Sequence, residues 1–350
     1  MKAMVMTGIG KPLEVLEMPD PELTSDGVII RVEANGICRS DWHAWMGDGQ
    51  WYGMNIEFPH VLGHEFSGVI EEVGRDVKSF KKGDRVIVPF SQGDGTCEYC
   101  KSGHQNICEN GVAPGFDYWG GFGRYVHVPN AEVNVVNLPE KVGYIDAAAL
   151  GCRFMTSFHG IVDQVKVRPG EWVAVHGCGG IGLSAIHIAT ALGANVIAVD
   201  INNESLKLAK ELGAVVTING KEKDAVGEIL ELTQGGVHVA VDALGVPATC
   251  QNAINSLRKR GRHLQIGLTT QEEQGMISLP VDFIVQKELS IVGSLGMQAH
   301  RYPDMLQMVE SGVLDPAKLV TRTVSIEDAG GILMSMGEYK TVGVTVVDKW

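Results

Sequence analysis

Residues 172–200 read WVAVHGCGGIGLSAIHIATALGANVIAVD, and this stretch decides the fold. Trp172 to His176 is an apolar run of strand length. Glycines follow, and then Ile181, Ala185, Ile188 and Leu192 recur at helical spacing until Gly193 stops them. Val196 to Val199 is a second buried strand, closed by Asp200. From 172 to 199 there is no Asp, Glu, Lys or Arg, a run of 28 residues that by length alone would span a membrane. Its five glycines argue otherwise, because Gly177 to Gly182 would interrupt a membrane helix. Strand, turn, helix and strand buried in a sheet covered on both faces account for the missing charges.

Outward from this unit the same alternation continues. Leu206, Ala209 and Leu212 mark a second amphipathic helix ended by Gly213, and Val215 to Ile218 a third strand. Further strands are expected at Val237 to Val241, His263 to Ile266 and Leu289 to Val292. Strands alternating with helices of this length imply right-handed crossovers and a doubly wound parallel sheet, an α/β architecture. Before about Leu150 the texture is β-rich, with short apolar runs such as Val28 to Val32 and Arg85 to Val88 between Gly, Pro and Asp. After about Gly293 come a helix-like segment, Tyr302 to Glu310, and a strand, Val342 to Val347. This tail is too short to fold alone and is expected to return to the first domain. The expected domains are therefore 1–152 with 293–350, and 153–292.

Within the opening stretch, residues 177–182 match G-x-G-x-x-G through Gly177, Gly179 and Gly182, and the match sits between a strand and a helix. The first glycine permits the turn, the second admits a pyrophosphate to the backbone, and the third allows close helix–strand packing. Gly180 and Ile181 complete the turn, and the helix dipole favours the phosphates there. Asp200 can accept from both ribose hydroxyls and repels a 2′-phosphate. No Arg or Lys follows it within six residues, so NAD is favoured over NADP.

Charge bounds the partners. The 350 residues carry 29 Lys and Arg against 42 Asp and Glu, a net −13, which opposes binding to nucleic acid or an anionic membrane. Seven cysteines without a secretory signal suit the cytoplasm and metal ligation better than disulfides. Two constellations stand out. Cys38, His64 and Cys152 offer two thiolates and an imidazole, which leaves a zinc one open position, as catalysis requires. Asp94, Cys97, Cys100 and Cys108 lie together, with His104 a rival fourth ligand and an empty lobe a third reading.

Taken together, C-R-S-x-x-H (Cys38 to His43), G-H-E-x-x-G (His64, Glu65, Gly68) and the glycine motif resemble the zinc-dependent medium-chain alcohol dehydrogenases over essentially the whole chain. The resemblance implies a GroES-like β-rich catalytic domain, with a zinc lobe at about 92–110, and a Rossmann cofactor domain. It implies reversible oxidation of alcohols to aldehydes or ketones with hydride transfer to NAD. Two zinc ions per chain are expected, one on Cys38, His64 and Cys152 and a structural one in the lobe. The family's lobe uses four cysteines, so Asp94 is a departure. By the same resemblance Glu65 would lie close enough to exchange with the zinc's water, and Asp41 would orient His64. Ser40 would take the alcohol proton and pass it towards His43, Arg39 would contact the pyrophosphate, and Thr156 would brace the nicotinamide. A carboxy-terminal Arg of many members is replaced by Val344.

Substrate class is less determined. Relatives acting on polyols or threonine carry Glu-Pro where this chain has Gly151-Cys152, which favours simple alcohols. Phe90 matches a pocket position, Trp51 and Trp119 are candidate pocket walls, and Arg153 would hold a substrate carboxylate or pair with a structural acid. The alternatives are a polyol or aldehyde-dismutating enzyme, and a non-catalytic NAD(H)-binding zinc–thiolate sensor. A homodimer or homotetramer is expected.

Overall fold

The structure, a computed structural model, describes residues 1–338 and 341–350. It divides into one unit of Met1–Met155 with Gly296–Trp350 and another of Thr156–Leu295. The first crossing between units falls three residues later than the sequence suggests. Helical turns resume after the kink at Gly151 and run through Met155–Phe158, so the boundary itself falls inside a helix, with no glycine or proline at it.

The second unit carries six parallel strands in the order Val216–Asn219, Asn195–Asp200, Trp172–His176, Val237–Asp242, Leu257–Gln265 and Ser290–Gly293. In chain order this is 3-2-1-4-5-6, whose direction reverses beside Trp172–His176, where ligands bind in such sheets. Helix Gly180–Ala191 buries every residue from Gly182 to Ala189, which is why the stretch tolerates no charge. Strand ends moved relative to expectation. The third strand is Val216–Asn219 and the sixth Ser290–Gly293, each one residue on. The fifth begins at Leu257, where four polar or glycine residues, 258–261, hide the apolar alternation.

In the first unit the long strand Val28–Ile37 is central. It pairs antiparallel with Phe66–Val73, Tyr125–Val128 and the last strand, Val344–Lys349. That last pairing explains why the tail joins this unit. It starts at Val344 rather than Val342, and Val344 is fully buried. Val28, Ile30 and Val32 pack against Phe66, Ile70 and Val126, while Ile37, next to Cys38, is buried in a second cluster with Met6, Val61 and Val347. No helix among the described residues is long and apolar enough to cross a membrane.

Candidate functional site

Three segments meet in the first unit. Strand Val28–Ile37 ends directly at Cys38, which is also the N-cap of helix Arg39–Met46. His64 and Glu65 lie just ahead of strand Phe66–Val73. Cys152 sits at an irregular helical turn, Leu150–Phe154, where Gly151 takes φ −55° and ψ −120°. The ligand atoms of Cys38, His64, Glu65 and Cys152 all lie within 4.8 Å of one another, and all four residues are buried.

Asp41 locks this arrangement. Its carboxylate, itself fully buried, accepts from the backbone N–H of Cys38 at 3.0 Å, from that of Gly63 at 3.0 Å and from His64 Nδ1 at 2.9 Å. With Nδ1 donating, Nε2 of His64 holds its lone pair inward, and it has no hydrogen-bond partner. A buried, orphaned acceptor beside two thiols is costly unless a cation fills the gap. This donor set therefore fits zinc, with Asp41 in the orienting place.

Glu65 is wedged between glycines. A Cβ on Gly36 would stand 2.2 Å from its Oε2, and one on Gly151 2.6 Å from its Cβ. Burial pushes its carboxyl up to about 7, against the pull of Arg153. Arg153 answers the question its sequence position raised. Its Nε donates to Glu65 Oε1 at 2.9 Å, Nη2 donates to Oε2, and its backbone N–H reaches Oε1 at 3.2 Å. The guanidinium is thus paired with the carboxyl of Glu65, which is held from two sides.

Ser40 and His43 stand one turn apart on helix Arg39–Met46, and Ser40 Oγ lies 3.8 Å from Cys38 Sγ. His43 Nδ1 lies 2.6 Å from Asp48 Oδ2, and burial holds the imidazole below its ordinary pKa against Asp48's opposing charge. Asp48 escaped sequence reading. It follows the left-handed C-cap Gly47, and that glycine was the only local signal that the chain turns back there. Arg39 donates from Nη1 to the Met336 carbonyl at 2.8 Å and lies over the Trp42 ring. Phe90 faces His64 edge-on, with ring centroids 5.8 Å apart. Phe116, which no sequence pattern marked, is nearer at 4.9 Å. Trp119 packs on the apolar cluster of Met4, Leu62 and Phe122, and Trp51 lies in the short turn Gln50–Tyr52.

The second constellation, Asp94, Cys97, Cys100 and Cys108, also brings its ligand atoms within 4.8 Å of one another. Asp94 Oδ1 lies 3.4 Å from Cys108 Sγ and 3.8 Å from Cys100 Sγ. Hydrogen bonds from the Thr96 backbone and from Asn110 hold the Asp94 carboxyl well below the usual carboxylate range. A backbone N–H from Cys100 brings the Cys97 thiol down to about 7, so a thiolate is at hand for zinc. His104 stands outside the group, its Nδ1 turned to Gln298 at 3.5 Å. Asn134 bonds both backbone groups of Gly93 and so ties the lobe down.

In the second unit Gly177 has φ +94°. A Cβ on Gly182 would lie 1.8 Å from the Gly177 carbonyl, while one on Gly179 would meet open space. The tight turn, the open approach and the free N–H groups beginning at Gly180 form a cradle that fits a pyrophosphate. Ile181 accepts from Ser157 Oγ at 3.0 Å. Asp200 closes the turn. Its Oδ2 accepts from Cys178 N–H at 2.5 Å, and its Oδ1 from Ile201 and Asn202 at 2.7 and 2.8 Å. Thr156, the first residue of this unit, is buried, and its carbonyl lies 3.4 Å from Ser294 Oγ.

Comparisons with known proteins agree with this chemistry. Residues 24–140 match the alcohol dehydrogenase GroES-like domain, and residues 180–311 match the zinc-binding dehydrogenase family. An alcohol dehydrogenase of Geobacillus stearothermophilus is 36% identical over 313 residues, covering 89% of this chain and 90% of that one. An NAD-dependent alcohol dehydrogenase of Sulfurisphaera tokodaii is 32% identical, covering 99% of both. The solved structure of an alcohol dehydrogenase from Thermus sp. ATN1 superposes with a TM-score of 0.90 at 28% identity, covering both chains fully.

Proposed function

The chain belongs to the zinc-dependent medium-chain alcohol dehydrogenase family, and from that premise we propose how its own residues carry out the reaction. It oxidises alcohols reversibly to aldehydes or ketones, with NAD as the hydride acceptor. The observation that carries the reading is the buried Cys38, His64 and Cys152 set with the unpartnered His64 Nε2. Zinc, when bound, supplies the Lewis acidity that makes an alcohol acidic near neutral pH.

Everything else is done by side chains. Asp41 fixes the imidazole of His64 and the start of the Cys38 helix at once, so the two ligands cannot drift independently. Arg153 holds the Glu65 carboxylate by two donors and limits its competition for the ligand set. The Ser40 hydroxyl takes the alcohol proton, and His43 is its terminal acceptor. Because Nδ1 of His43 donates to Asp48, the free lone pair is on Nε2, and burial keeps that ring neutral and ready at pH 7. Arg39 and Thr156 serve the pyrophosphate and the nicotinamide ring, and Asp200 serves the adenosine ribose.

Phe90 and Phe116 beside His64 give the site an apolar wall, which suits short aliphatic or aromatic alcohols rather than polyols. Asp94 completes the lobe's zinc site with Cys97, Cys100 and Cys108. The exposed edge strand Ser290–Gly293, with Ile291, Val281 and Val285 open to solvent, supports assembly into a homodimer or homotetramer. Five of the seven cysteines fall in the two ligand sets, which supports a reducing, cytoplasmic setting. NAD reduction across alcohols graded in length, aromaticity and hydroxyl count tests the substrate reading. Turnover confined to polyols would overturn it, and turnover on none would return the sensor reading.

A further inference from the structure

At the opposite end of the cofactor sheet from the glycine turn, the amino ends of three parallel strands frame an open surface pocket of about 310 Å³. Arg168, Arg258, Lys259, Arg260 and Arg262 line it, with His238 and Glu171. So dense a cationic cluster is unexpected on a chain of net charge −13. The backbone produces it. Val237 pairs with Leu257 and Val239 with Arg262, so residues 258–261 are extruded from the ladder as a bulge. Arg260 is left in the left-handed region at φ +59°, a conformation that costs free energy in a non-glycine residue.

Local carboxylates do not balance this charge. Both oxygens of Glu171 are taken by Arg262, at 2.6 Å each, and Oε2 also accepts the Arg168 backbone N–H. Arg260 reaches Glu288 only at 3.8 Å, with both side chains mostly exposed. Among the described residues, no carboxylate lies within ion-pair distance of Arg168, Arg258 or Lys259. One contact draws two of these side chains together. His238 Nδ1 accepts the Trp172 N–H at 3.0 Å, so the neutral ring carries its proton on Nε2. Arg258 Nη1 lies 2.9 Å from that nitrogen, so the guanidinium and the imidazole stand side by side at the open, solvent-exposed face of the pocket. An oxyanion at this point would accept from both.

We propose that this surface pocket binds the phosphate chain of a di- or triphosphate, held by Arg258, Lys259, Arg168 and His238 Nε2. Guanidinium forks match phosphate oxygens bidentately, and the volume suits a small ligand rather than a duplex, which the overall charge would also repel. The chain has two sources, free polyphosphate or the tail of a nucleotide. The site is distinct from the glycine turn, because it lies at the amino ends of the same strands whose carboxyl ends carry that turn.

The test is calorimetric titration of the full-length zinc enzyme, saturated with NAD, using tripolyphosphate, ATP and adenosine in turn. One equivalent of tripolyphosphate is expected to bind, and R258Q with K259Q to weaken it by about tenfold or more while leaving kcat and the KM for NAD unchanged. Equal affinity for ATP and tripolyphosphate assigns the free chain, and clearly tighter ATP assigns the nucleotide. Absence of tripolyphosphate binding in the presence of NAD, or undiminished binding by a variant with an unchanged unfolding midpoint, overturns the proposal.

Discussion

The two metal constellations are built on opposite plans. The Cys38 set draws donors from positions 38, 64 and 152, buries all of them, and relies on Asp41 to hold two of them while Arg153 holds the neighbouring Glu65. The lobe set takes all four donors from residues 94 to 108, leaves three of them partly exposed, and relies on turn hydrogen bonds from Thr96 and Asn110. A dispersed, buried set can leave one coordination position to substrate because the fold maintains the others. A local, shallow set is a cross-link for its own loop. Variants should therefore act on chemistry at the first and on stability at the second.

The largest effect is expected from His64→Ala, which should abolish NAD reduction and lower zinc content from two ions per chain to one, by metal analysis. Ser40→Ala keeps every ligand, so full zinc content with a loss of about 100-fold in alcohol oxidation is expected. An unchanged rate would remove Ser40 from the proton path. Asp41→Asn should weaken zinc retention at the buried set by about 10- to 100-fold, read by competition with a chelator, while the lobe holds its metal. Asp48→Asn moves a pH limb. Asp48 raises the pKa of His43, so its loss should shift the acid limb of kcat/KM to lower pH, since the neutral ring then persists further down. Asp94→Ala is expected to release one zinc and lower the unfolding midpoint, with kcat within about twofold of the parent, because a lobe cross-link sits outside the reaction. A fall in kcat as large as that of Ser40→Ala would erase the division between the two sites.

Much of this was legible from residues alone, for a physical reason that differs by region. The sheet was readable because fully buried parallel strands exclude charge, as 172–199 does, and because the glycine turn admits no larger residue at Gly182. Its fifth strand was half hidden, since the bulge at 258–261 replaces apolar alternation by cations. The local lobe was readable by spacing. Asp48 and Phe116 were not, because neither belongs to a periodic pattern: Asp48 meets His43 only because the chain turns at the left-handed Gly47, and Phe116 meets His64 from a separate segment.

By itself the sequence determined the cofactor sheet and its glycine turn, and it singled out the candidates for two ligand sets, since each depends on residue type at short or recognisable spacing. Only the tertiary structure decided what Arg153 does, which way His64 points its lone pair, and that Asp48 fixes the free nitrogen of His43. Those are matters of direction and desolvation. They arise when separate segments are buried against one another and each polar atom must find a partner there, and no one-dimensional pattern records them.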